Sequence, residues 1–108
     1  MDDHAQEGFF TITPEEAKAM MGDDVVILDV REPAEFATGH VPGAVNVPLG
    51  DIRMGRILPE CPDVNKTVLI YCRSGRRSDV GGRIMAASGY RDVRNFLGVV
   101  QWPYELVR

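Results

Sequence analysis

Two uninterrupted apolar runs, Val25-Val26-Ile27-Leu28 and Val68-Leu69-Ile70-Tyr71, constrain this chain more than any other feature. Neither alternates with polar residues, so neither suits a strand with one wet face. A continuous apolar, β-branched run marks a strand covered on both sides, hence a parallel sheet under helices. Helical segments flank the runs. Thr13-Pro14-Glu15-Glu16 opens the first with a hydroxyl cap, a proline in the first turn and a glutamate three residues after the cap. Gly22 closes that helix after about two turns. Residues 33–36 suggest a second short helix, and residues 78–88 a third, closed by Gly89. Shorter strands are expected at 9–12, 44–47 and 93–96, and a last helix over 99–106, interrupted by Pro103. Strands alternating with helices in 108 residues predict one small α/β domain with a mostly parallel sheet.

At this length folding buries roughly two-thirds of the chain's surface, enough for a core without staples. Two cysteines make no disulfide framework; with two histidines, no C-x-x-C and no H-x3-H, they predict no metal site. No stretch approaches the ~18 consecutive apolar residues of a membrane span. Met1-Asp2-Asp3-His4 is acidic where a secretory signal is basic. A cytoplasmic protein with no membrane partner is the expectation, a monomer by default. The chain divides into an acidic tail, 1–8, and a single domain, 9–108. Residues 1–35 carry ten acids and two bases, whereas 36–108 carry six acids and ten bases. Residues 73–94 hold six arginines against Asp79 and Asp92. A net charge of −4 with one basic patch disfavours a nucleic-acid partner and suits a small anion.

Ligands of parallel α/β sheets bind beyond the carboxyl ends of the strands. That rule points to Cys72-Arg73-Ser74-Gly75-Arg76-Arg77-Ser78, which leaves the most apolar strand and enters a helix. A cysteine beside a helix amino terminus meets unpaired N–H groups and the positive end of the helix dipole. Both favour the thiolate, which is the nucleophile. Gly75 lets successive N–H groups converge on one anion. Arg73, Arg76 and Arg77 add forked donors for a sulfur or phosphorus oxyanion.

Asp29-Val30-Arg31-Glu32, Glu35-Phe36, Gly39-His40-Val41-Pro42-Gly43-Ala44 and Tyr71 to Ser78 stand in the order and spacing of rhodanese-like domains. The chain resembles that family from about Thr11 to Trp102. The resemblance implies a small rhodanese-like α/β fold, with a central five-stranded, mostly parallel sheet flanked by helices on both faces. It implies a sulfurtransferase in which Cys72 attacks the outer sulfur of a donor such as thiosulfate and becomes a persulfide. The sulfur then passes to a thiol or cyanide acceptor, with no cofactor. Arg73, Ser74, Gly75, Arg76, Arg77 and Ser78 are the implied substrate-binding residues. Two departures from the family pattern stand out. Gly98-Val99 occupies a place where the family often has two glycines, and Gly81-Gly82 one where its helix usually opens with alanines. Each helical glycine costs ~1 kcal/mol relative to alanine, so a less rigid loop is expected.

Other residues near these motifs read as structural. Asp29 suits a helix cap better than a catalytic acid, and Arg31 with Glu32 and Glu35 an ion-pair cluster. His40, among Gly39, Pro42 and Gly43, suits a turn imidazole bonded to backbone, since a low-pKa thiolate needs no base. Trp102 reads as core. Cys61 reads as a bystander; resolving a persulfide would require its Cα within ~7 Å of that of Cys72.

Two other functions use the same scaffold. Cysteine phosphatases and arsenate reductases place an arginine six positions after the cysteine, where this chain has Ser78. A non-catalytic partner-binding module commonly lacks the cysteine, which is kept here. Serine-hydrolase, P-loop and dinucleotide motifs are absent.

Overall fold

The computed structural model describes residues 6–108, so residues 1–5 of the expected tail lie outside the described residues. Five strands, β1 (Phe9–Thr11), β2 (Val25–Asp29), β3 (Val45–Asn46), β4 (Thr67–Cys72) and β5 (Val93–Gly98), form one sheet in the order β1-β5-β4-β2-β3. Every pairing is parallel. The helices are α1 (Pro14–Met20), α2 (Pro33–Thr38), α3 (Leu49–Ile52) and α4 (Arg76–Ala87).

The two apolar runs lie side by side at the centre, with Val26 registered on Val68 and Leu28 on Ile70. Their lack of alternation follows from cover on both faces. Leu28, Val68 and Ile70 pack with Ile52 of α3 and Met85 of α4. Ile27, Leu69 and Tyr71 pack on the opposite face with Ala17 of α1, Phe96 and Trp102. Each buried Val, Leu, Ile, Phe or Met among these contributes about 1.5–3 kcal/mol relative to exposure.

Helix α1 starts as its sequence dictates. The Thr13 hydroxyl accepts the Glu16 N–H at 3.0 Å, and Glu16 accepts the Thr13 N–H at 2.9 Å. The one-turn helix α3 is too short to leave a periodic signal.

One expectation needs correction. No helix forms over 99–106. The Val99 and Val100 N–H groups donate to the carbonyls of Cys72 and Arg73 instead, at 3.1 and 3.0 Å. Further on, Val107 and His40 exchange backbone hydrogen bonds, each at 2.8 Å. Pro103 has no N–H to continue a helical ladder. Gly81 and Gly82, expected to loosen the loop, are buried where α4 approaches its neighbours. A Cβ on Gly82 would sit 2.4 Å from Phe9 Cε1, and one on Gly81 3.2 Å from Leu49 Cδ1. The helix propensity lost there is exchanged for close packing of α4 on β1 and α3.

At the carboxyl end of the sheet, the β4–β5 register shifts. Ile70 pairs with Asn95, yet Cys72 pairs with Gly98. The extra β5 residue is absorbed at Leu97, whose φ of 78° is in the left-handed region. Bulges of this kind re-aim strands beside functional sites. Here the bulge carries Gly98 onto the segment that leaves Cys72.

Candidate active site

Strand β4 delivers Cys72 to the end of the sheet, and α4 begins four residues later at Arg76. Between them Gly75 takes a φ of 105° and caps α4 with its backbone alone. A side chain there would be strained, and its Cβ would press to 3.2 Å from Leu97 Cα. The turn brings the Gly75 N–H to 3.1 Å from Cys72 Sγ. The Ser78 hydroxyl, one turn into α4, lies 3.4 Å from the same sulfur.

Burial pushes the Cys72 thiol up, since only 1% of the residue is exposed. The Ser78 hydroxyl and the backbone N–H groups of Ser78, Gly75 and Ser74 outweigh that cost and hold the thiol below its ordinary value. These fixed dipoles supply the stabilisation expected of a helix amino terminus and converging amides. Ser78, read from sequence as part of the substrate-binding loop, is wholly buried against Cys72.

Alkylation of Cys72 by iodoacetamide should therefore inflect below the free-cysteine value of ~8.5. A group held down is ionised above its folded pKa, so reactivity falls as the pH drops through that value. Cys61, pushed up by burial, should react only at higher pH. An inflection for Cys72 at or above ~8.5 would show burial dominating.

Asn95, which the sequence reasoning missed, holds the loop from behind. Its Oδ1 accepts the Leu97 N–H at 3.0 Å and lies 2.7 Å from the Ser78 hydroxyl, whose single proton serves either this oxygen or the Cys72 thiolate, while its Nδ2 donates to the Gly75 carbonyl at 3.2 Å. A polar residue two positions after Val93, hence on the same face of the strand, was the available signal.

The three loop arginines part company. Arg77 donates through Nη1 and Nη2 to both carboxylate oxygens of Glu35 on α2, at 2.7 and 3.0 Å. That pair holds the Glu35 carboxyl down to about 2, against the opposing effect of burial. The contribution of the pair to stability is complete above the ordinary carboxyl value and is lost as the pH falls through about 2. Arg73, Ser74 and Arg76 are exposed at the mouth.

The expected Arg31–Glu32–Glu35 cluster is not formed. Asp29 caps no helix; its carboxylate accepts the Arg31 backbone N–H at 2.9 Å and the Arg31 side chain at 2.8–3.1 Å. His40 fits its expected role, with Nδ1 3.1 Å from the Phe36 carbonyl and its ring stacked on Phe36 at 3.7 Å. Trp102 is core, its Nε1–H donating to the Glu105 carbonyl at 3.0 Å. Cys61 is a buried free thiol, as is Cys72. A groove of about 920 Å³ lined by residues such as Met21, Val25, Pro42 and Tyr104 opens where β2 begins, and Cys72 does not line it. Among the described residues there is no cluster of metal-ligating side chains, and no helix is long and apolar enough to cross a membrane.

The family model for the rhodanese-like domain matches residues 13–102. The chain belongs to the rhodanese-like family. Thiosulfate sulfurtransferase PspE of Escherichia coli is 40% identical over 72 residues, which cover 67% of this chain and 68% of PspE. Thiosulfate:glutathione sulfurtransferase of Saccharomyces cerevisiae is 30% identical over 98 residues, covering 78% of this chain and 70% of that protein. A solved rhodanese with anions from E. coli superposes with a TM-score of 0.70 at 34% identity, covering 78% of this chain and 98% of the other. The parallel five-stranded sheet described above is the rhodanese fold, and the Cys72 loop lies within the matched span.

Proposed function

We propose that this rhodanese-like protein is a sulfurtransferase that carries sulfane sulfur on Cys72 as a persulfide. The supporting observation is the seat of Cys72 Sγ, where a Gly75 N–H at 3.1 Å and the Ser78 hydroxyl at 3.4 Å stabilise a thiolate. With thiosulfate, the thiolate attacks the outer sulfur and forms a new S–S bond. The old S–S bond breaks, and sulfite leaves with the electron pair. The enzyme is left with a persulfide anion held by the same donors. An acceptor thiolate, or cyanide, then attacks the outer sulfur and returns Cys72 to the thiolate. No proton transfer by a side chain is required if the acceptor arrives ionised, in keeping with His40 being bound to backbone.

Donor binding is assigned to the loop amides with Arg73 and Arg76, the exposed loop arginines. Arg77 is assigned to holding α2 against the loop through Glu35. Steady-state assays of alanine variants test this division. At least one of Arg73→Ala and Arg76→Ala should raise KM for thiosulfate by ~1–3 kcal/mol of binding, the worth of a charge-assisted hydrogen bond. Added salt should weaken donor binding, because the charges lie at an open mouth. Unchanged KM in both variants would leave the anion to the backbone alone.

A further inference from the structure

The Gly75 N–H at Cys72 Sγ is fixed by the backbone, but the Ser78 hydroxyl can turn about its Cβ–Oγ bond and has one proton to give. Three acceptors surround it: Asn95 Oδ1 at 2.7 Å, Cys72 Sγ at 3.4 Å and the Leu97 carbonyl at 3.4 Å. Cys72, Ser78 and Asn95 are all buried, which confines the proton to these partners.

Backbone groups settle which way Asn95 faces. The Leu97 N–H can only donate, so the side-chain atom 3.0 Å from it is the oxygen. The Gly75 carbonyl can only accept, so the atom 3.2 Å from it is the nitrogen. Oδ1 therefore meets Ser78 as an acceptor with no proton of its own. Beside a neutral sulfur the hydroxyl points to Asn95, the shorter contact. A thiolate competes for the same proton, because a hydrogen bond to a charged acceptor is about twice as strong as a neutral one. The charge on Sγ thus sets the direction of the hydroxyl.

We propose that Ser78 and Asn95 form a hydroxyl switch that assists the departure of Cys72 when sulfur is passed on, with Ser78 as a catalytic donor and Asn95 as its positioning residue. The switch rests on the persulfide reading above. In the persulfide, Sγ is a bridging sulfur and the negative charge lies mainly on the outer atom, so the balance of the Ser78 proton moves to Asn95. As an acceptor thiolate or cyanide attacks the outer sulfur, the bond from that atom to Sγ breaks and its electron pair returns to Sγ. The hydroxyl swings back while that charge develops. No proton leaves Ser78 Oγ; the O–H bond only changes direction. A donor that strengthens with the developing charge lowers the barrier of the step without stabilising the loaded state equally.

Timing the two half-reactions separately, each on the plateau of its pH profile, tests the switch. Loading is read as sulfite released from thiosulfate in a single turnover, and unloading as thiocyanate formed from the loaded protein and cyanide. Ser78→Ala should raise the ratio of loading to unloading rates about tenfold, since it removes a charge-assisted bond from the thiolate and a weaker one from the persulfide. Unloading should slow while loading does not. Asn95→Ala should lower the ratio about fivefold, the value of one neutral hydrogen bond. Introduced into Ser78→Ala, the same change should leave the ratio where it was, because Asn95 acts through the hydroxyl. Melting temperatures confirm that each variant is folded. A loosened loop would instead slow both half-reactions by one factor and act alike in both backgrounds. An unmoved ratio in Ser78→Ala, or an Asn95→Ala effect of equal size with and without the hydroxyl, would overturn the switch alone. An unsubstituted protein that releases no sulfite would overturn the persulfide reading and the switch with it.

Discussion

Cys72→Ser is expected to reduce sulfur transfer to background, a loss on the order of 10³-fold or more, as for removal of a covalent nucleophile. The hydroxyl is nearly isosteric with the thiol and can accept the same Gly75 and Ser78 donors. The melting temperature should therefore change little. Serine fails chemically, since it is not ionised near neutral pH and cannot hold a sulfane sulfur. Cys61→Ser should retain most of the activity, because Cys61 is a buried part of the apolar cluster under α4. Aryl phosphates provide the opposing check. If this loop is built for sulfur, the unsubstituted protein should hydrolyse them no faster than Cys72→Ser does. Cys72-dependent phosphate turnover would favour the phosphatase alternative.

Gly98→Ala should be the most damaging single-methyl change at the site. A Cβ on Gly98 would lie 2.2 Å from both the carbonyl carbon and oxygen of Arg73, and 2.6 Å from the Cys72 carbonyl oxygen. These are backbone atoms of the loop, so no rotamer change relieves the contact. Either β5 or the active-site loop must move, and overpacking of this kind costs about 1–3 kcal/mol or more. A drop in melting temperature of roughly 4–8 °C per kcal/mol is expected for a domain near this size. Activity should fall further than stability alone explains, because the displaced carbonyls belong to Cys72 and Arg73. Gly50→Ala is the control: it sits in α3 with nothing within 4 Å of a built Cβ. Helix propensity predicts a neutral or slightly stabilising outcome there. Similar melting temperatures for the two variants would contradict this account of the β5 bulge.

What was legible in the sequence was what is local in the chain. The Cys72 loop is contiguous, and its cysteine, glycine and helix start announce their chemistry without any knowledge of the fold. The apolar runs fixed the central strands because cover on both faces leaves a direct imprint on composition. The contacts that complete the site are tertiary. Glu35 meets Arg77 across 42 positions, and Asn95 reaches Ser78 and Gly75 only because β5 lies beside β4. Gly81 and Gly82 read as weakness in an isolated helix and become close-packing points once Phe9 and Leu49 face them. The expected helix over 99–106 failed for the same reason. Local pattern did not reveal that Val99 and Val100 would bond to the segment leaving Cys72.

The central claim, that Cys72 carries the sulfur, is tested most directly by intact mass after exposure to thiosulfate. The account predicts one added sulfur atom per chain, located on Cys72 by peptide mapping and removed by cyanide or a thiol. It should persist in Cys61→Ser and be absent from Cys72→Ser. A protein that gains no sulfur, or that keeps the added sulfur in Cys72→Ser, would contradict the account.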